Sequence, residues 1–173
     1  SNEGVTLPTA GSDVTGTPSQ VTGAAGALFQ VGADGFGSVS VTGPAGIQAI
    51  HDTDGDGDAQ VETVSYATAT AADGTVTLTA TGNDSGDVVF TLVINNDGSY
   101  TFTQSAALAH PTADDEDELD LTFAFTVVDG DGDTASGSLT VTVDDDTPVA
   151  NVVVDTDEVS DDEGKGDFAT LSN

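Results

Sequence analysis

Apolar residues in this chain recur at every second position, in short runs separated by Gly, Asp and Asn. That period places successive side chains on opposite faces of an extended strand, one toward a core and the other toward water. The pattern is cleanest on either side of Asp129-Gly-Asp131-Gly-Asp133. Before this stretch, Leu119, Leu121, Phe123, Phe125 and Val127 share one face; after it, Leu139, Val141 and Val143 do the same. Ser38–Thr42 brings Val39 and Val41 together, and Val76 and Leu78 alternate with threonines. Val88, Phe90, Leu92 and Ile94 fall on a face opposite Val89, Thr91 and Val93. Asn95-Asn-Asp-Gly98 predicts a hairpin turn into a return strand led by Tyr100 and Phe102, because Asn and Asp-Gly tolerate positive φ.

Weaker strand signals lie at Leu28–Val31, Ile47–Ile50, Val61–Ala69 and Val149–Val154. Ser105–His110 predicts a single helical turn ended by Pro111. No segment has the period and length of an ordinary helix. About eight to ten short strands with regularly spaced turns predict an all-β, antiparallel β-sandwich. The sandwich is expected over 28–147. Residues 1–27 are an extended lead-in or first edge strand, and 148–173 a junction with an acidic linker or the start of a next repeat.

Composition adds a strong constraint. Thirty-one acids face one base, Lys165, for a formal charge of -30. Nucleic acids and anionic membranes are bound through Lys and Arg, so neither is an expected partner. A field of this sign attracts cations. No apolar run is long enough to span a bilayer, so membrane insertion is not expected. This segment carries no basic-plus-apolar leader, which predicts a soluble fragment, monomeric by itself, or export by a route the segment does not show. With no cysteine there is no disulfide framework and no thiolate metal site. A bound metal is the usual substitute staple. Low hydropathy with high charge would fit disorder, but disordered acidic tails do not alternate.

The acids gather at turns. Asp52, Asp54, Asp56 and Asp58 sit at alternate positions with glycines between them, a spacing that lets carboxylates converge on an ion wanting six to eight oxygens. The loop opens like an EF-hand but then departs from one. Thr63 stands where the bidentate Glu belongs, Glu62 comes one position early, and no helices flank it. Two charges about 6 Å apart repel by roughly 0.7 kcal/mol in water, so six such pairs approach about 3–4 kcal/mol. A divalent ion reverses the sign of that sum. Asp129, Asp131 and Asp133 repeat the pattern, and Asp144, Asp145 and Asp146 follow the next strand, at the opposite pole of the hairpin. Asp114–Glu118 is a further acidic run that divides evenly between ligand and solvated loop. Hard oxygens and the lack of cysteine favour Ca2+ over zinc. His51 reads as a polar flank, and Asp73-Gly74, Asp97-Gly98 and Asn83-Asp-Ser85 as turn chemistry.

Four stretches carry a family resemblance. They are Gly32–Gly43, Asn96-Asp-Gly-Ser-Tyr-Thr-Phe-Thr103, Ala106-Ala-Leu-Ala-His-Pro111 and Phe123–Gly137, the last containing Val-Val-Asp-Gly-Asp-Gly-Asp. They resemble the long repeat domains of giant bacterial RTX adhesins, and Asp144-Asp-Asp-Thr-Pro-Val-Ala150 resembles the junction between successive repeats. The resemblance spans roughly 28–150 and is weak over 51–82. It implies an Ig-like sandwich, calcium at loops and junctions, type I secretion, and an extracellular place at the bacterial cell surface in adhesion and biofilm formation. It implies neighbouring repeats of the same chain as partners. The matching ligand positions are Asp129, Asp131, Asp133 and Asp144–Asp146; the Asp52–Asp58 loop rests on spacing alone.

Three function classes compete. The first is a structural extender rigidified by calcium. The second is a calcium-dependent module that binds a surface glycan or peptide, or a scaffold supporting one. Sugar stacking has few platforms, with no Trp and two tyrosines, Tyr66 and Tyr100. The third is an enzyme, which is not expected. Paired carboxylates could hydrolyse glycosides, but the chain has no Arg or Cys and no nucleophile elbow, phosphate loop or zinc-protease motif.

Overall fold

The computed structural model of this chain describes residues 19–52, 59–110, 118–143 and 148–151. Those residues form ten strands and no helix. In chain order they are β1 (Ser19–Gly23), β2 (Phe36–Thr42), β3 (Gln48–His51), β4 (Gln60–Thr70) and β5 (Val76–Gly82). The remaining five are β6 (Val88–Ile94), β7 (Tyr100–Gln104), β8 (Leu119–Asp129), β9 (Thr134–Val143) and β10 (Pro148–Asn151). All neighbours pair antiparallel. Six strands form one sheet in the order β1-β7-β6-β5-β4-β3, and four form the other in the order β10-β9-β8-β2. The all-β sandwich expected from the alternation is the fold observed.

The alternating residues build the core. Leu121, Phe123, Phe125 and Val127 of β8 and Leu139, Val141 and Val143 of β9 are buried, as are Val39 and Val41 of β2. The opposite sheet contributes Val76, Leu78 and Ala80 of β5, Leu92 and Ile94 of β6, and Tyr100 and Phe102 of β7. Phe123 meets Phe90 edge-on at 5.8 Å between ring centroids and Phe102 at 6.0 Å, and Phe90 lies 5.4 Å from Phe102. One ring from the four-stranded sheet thus fits against two from the six-stranded sheet. Edge-on and tilted ring pairs add to the stabilisation from area burial alone.

Three local expectations need correction. First, β6 does not keep strict alternation: Val89 and Phe90 are both buried, while Val88 is exposed. The register shows why, since Ala80 pairs with Phe90 and Thr81 with Val88, leaving Val89 as the extra residue of a β-bulge. The bulged carbonyl of Val89 accepts from the amides of Ser105 and Ala106. Second, Ser105–His110 forms no helical turn. It runs extended beside β3, with Ala49 bridging Leu108 and the amides of Ile50 and Ala109 donating to Ala107 and Gln48. Burying Leu108 and pairing the open edge of β3 satisfies more groups than one isolated turn could. Third, Leu28–Val31 is not a strand. Leu28 and Phe29 are adjacent, both fully buried, and belong to no strand. Phe29 stacks on Phe36 at 6.1 Å, and the amide of Leu28 donates to Gly98. Beyond Asn151, the predicted strand to Val154 lies outside the described residues.

Topology sorts the loops between two poles. At one, the amide nitrogen of Asn96 donates to Asp73, linking the β6–β7 and β4–β5 turns, while the backbone of Gly130 donates to Gly35. Gly98 there has φ of 79° and lies against the carbonyl of Phe29, so a side chain would be both strained and obstructed. The pairing of Leu119 with Val143 marks the other pole. The β3 and β4 ends that flank 52–59, the β5–β6 turn and the exit of β9 all sit there.

Candidate functional site

The turn between β8 and β9 is held by its first aspartate. The amides of Asp131, Gly132 and Asp133 donate to Asp129 Oδ1 at 3.0, 2.9 and 2.9 Å. The main chain closes the same turn through Asp129 N to Asp133 O at 3.0 Å. Asp129 is buried, whereas Asp131 and Asp133 are exposed. All three side-chain bonds fall on one oxygen of Asp129, and none uses Oδ2. The turn therefore offers Oδ2 and two exposed carboxylates, a hard-oxygen donor set of the kind calcium takes. The three carboxylates stand at alternate positions of one turn but are not gathered within ligand spacing of one another.

Two other Asp-Gly turns are occupied by turn chemistry alone, as expected. Asp73 Oδ1 accepts from the amide of Thr75, and Asp97 Oδ1 accepts from the amide and hydroxyl of Ser99. The Thr75 bonds hold the Asp73 carboxyl below its usual range, and the Ser99 hydroxyl and amide do the same for Asp97. Asn83 and Ser85 likewise serve the β5–β6 turn: the Asn83 side chain is bonded to Thr63 and Ser65.

The structure brings together a set that the spacing argument did not. Among the described residues, His51, Glu62 and Asp84 place one donor atom each within 4.8 Å of one another. Antiparallel pairing sets His51 opposite Gln60, so Glu62 is its diagonal neighbour on the same face of β3 and β4. Asp84 comes from the β5–β6 turn. Glu62 is buried at 3 % exposure. Its Oε2 accepts from the amides of Asp84 and Ser85 at 2.7 and 2.9 Å, and its Oε1 from the Ser85 hydroxyl at 2.6 Å. Gly82 makes room for this carboxylate, since any Cβ there would collide with it. Burial by itself pushes the Glu62 carboxyl up. The Ser85 hydroxyl, the amides of Ser85 and Asp84 and the His51 charge outweigh it, and the net shift is downward. Glu62 is thus an ionised plug that seats the β5–β6 turn onto β4. His51 Nδ1 is buried beside it with no hydrogen-bond partner.

Of the other expected ligands, Asp52 is exposed at the end of β3, and it makes an interaction of its own. Asp54, Asp56, Asp58, Asp144, Asp145 and Asp146 lie outside the described residues, as do 114–117 of the further acidic run.

A family model described as a domain of unknown function (DUF5801) matches residues 71–142. The matched segment runs from the β4–β5 turn to the end of β9, so it includes strands of both sheets and the Asp129–Asp133 turn. No curated protein and no solved structure matches the chain.

Proposed function

We propose that this chain is a calcium-rigidified structural repeat of a giant RTX-type adhesin. In this account it is exported by type I secretion and works at the bacterial surface in adhesion and biofilm formation. The observation that carries the reading is where the charge is absent. Of the twelve acids among the described residues, the ten strands hold three: Glu62, Asp120 and Asp129. Each has a structural partner, Asp120 accepting from the Thr142 hydroxyl at 2.7 Å. General acidic surface adaptation would spread acids over strand faces, which here carry Thr and Ser. Described acids that stand mostly in turns and loops rather than in strands suit a module that meets its neighbours end to end. Like-charged ends repel, and a divalent ion shared by their oxygens turns repulsion into a tie. Asp52, Asp54, Asp56, Asp58, Asp129, Asp131, Asp133 and Asp144–Asp146 would hold the ions.

A sugar-binding reading has less support. Tyr100 is buried, and Tyr66 is half-buried with its hydroxyl donating to Pro44 at 2.7 Å, so neither ring is a free stacking platform. Burial pushes the Tyr66 hydroxyl up to about 12.

The test is calcium titration by calorimetry on the intact chain and two sets of Asn variants, which remove charge while tolerating the turns. Neutralising Asp131 and Asp133 should abolish one class of sites, and neutralising Asp52, Asp54, Asp56 and Asp58 another. Stoichiometric calcium binding that neither set alters, or no binding at all, would reject the assignment.

A further inference from the structure

We infer that His51, Glu62 and Asp84 form a binding site for a zinc-class transition-metal ion, separate from the all-oxygen calcium loops. Three facts carry this. First, the donors come from three separate elements yet stand within 4.8 Å of one another, and one is an imidazole. Imidazole with carboxylates suits zinc, whereas calcium takes oxygens only. Second, Nδ1 of His51 is buried with no hydrogen-bond partner, so the ring arrives with an unused nitrogen. Third, Glu62 is already oriented as metal-binding carboxylates are. An ionised carboxylate has about four acceptor positions. The Asp84 amide and the Ser85 amide and hydroxyl use three, leaving one on Oε1. Such outer bonds fix a ligand's direction.

Tetrahedral zinc with ligands at about 2.0–2.1 Å needs donors about 3.4 Å apart. Asp84 is exposed on a turn and can close the difference, while Glu62 stays fixed in the space left by Gly82. Three protein ligands leave a fourth position for water. The ion would pin the last residue of β3, an edge strand of four residues, to β4 and to the β5–β6 turn. A short edge with few ladder bonds gains most from such a pin.

The experiment uses the intact chain with calcium held at saturation, so that the acidic loops are occupied and their failure to bind calcium would be seen separately. Zinc chloride is titrated against a chromophoric competitor, and Co2+ replaces it to report geometry by its visible absorption. The expected result is one zinc per chain and a tetrahedral cobalt spectrum. His51→Ala and Asp84→Asn should each weaken zinc binding at least tenfold. His110→Ala should leave it unchanged, because His110 follows Ala109, which pairs with Gln48 at the opposite end of β3. Glu62→Gln is avoided as the main probe because Glu62 also seats the turn. In the unaltered chain, zinc should shift the His51 ring signals in NMR and spare those of His110. Zinc binding no tighter than that of scattered carboxylates, equal binding by the His51→Ala chain, or unmoved His51 signals would each overturn the site.

Discussion

Phe123→Ala will lower the free energy of unfolding by about 3–5 kcal/mol. The size follows from where the ring sits. Phe123 is fully buried and is the ring on β8 that meets both Phe90 and Phe102 from the opposing sheet. Truncation removes the transfer free energy of the ring and leaves a cavity at the join between sheets, which two stiff antiparallel layers can close only in part. It also forfeits the edge-on contact with Phe90. Total stabilities of single domains are roughly 5–15 kcal/mol, so the loss is a large share of the whole. Urea unfolding at fixed calcium is the check. The midpoint should fall with little change in slope, and Phe123→Leu should lose less. A cost under about 1 kcal/mol for the alanine variant would mean that the aromatic cluster does not hold the sheets together.

Glu62→Gln will cost about 1.5–3 kcal/mol near neutral pH, the scale of hydrogen bonds to a charged group. It will also flatten the acid side of the stability profile. Glu62 is held below its ordinary value of 4.5, so the folded chain keeps it ionised at a pH where the unfolded chain has begun to protonate it. The unfolded state then binds more protons, and stability falls as acid is added. The Glu62 contribution is fully present above the ordinary glutamate range and is lost as pH falls through the lower folded-state value. A glutamine has no such proton to take up. Asp73 and Asp97 are shifted the same way and remain in the variant, so the slope should shrink but not vanish. Urea melts across an acidic pH series, with calcium constant and no transition metal, provide the comparison. Parallel profiles for the two proteins would contradict the assigned role.

The sandwich was legible because most strands obey the period of two. In β8 and β9 every predicted core residue other than the half-buried Leu119 is buried, and the Asp129 turn falls between them as spaced. What alternation could not show depends on contacts between distant segments. The bulge at Val89 is a two-against-one mismatch with β5, visible only once Ala80 and Thr81 find their partners. Leu28, Phe29 and Leu108 are buried by loops whose partners lie far along the chain. By its distance from Asp52, Glu62 stands one position early for the bidentate ligand of a calcium loop. One signal did point elsewhere: it is the one acid in the eleven residues of β4. That signal does not identify Gly82 or the Asp84–Ser85 amides as its partners, since that requires knowing that β5 returns alongside β4.

On the proposed function, the acidic connections, not the sheets, make the chain depend on calcium. Thermal unfolding of the intact chain, with and without chelator and at millimolar calcium, tests it most directly. Each site held at about a hundred times its Kd adds about 2.7 kcal/mol, which for a chain of this size raises Tm by roughly 5–10 °C. The expected result is a rise of at least that size in calcium, reversed by chelator, together with a smaller radius of gyration by X-ray scattering. Identical melts and identical scattering in the two conditions would contradict it.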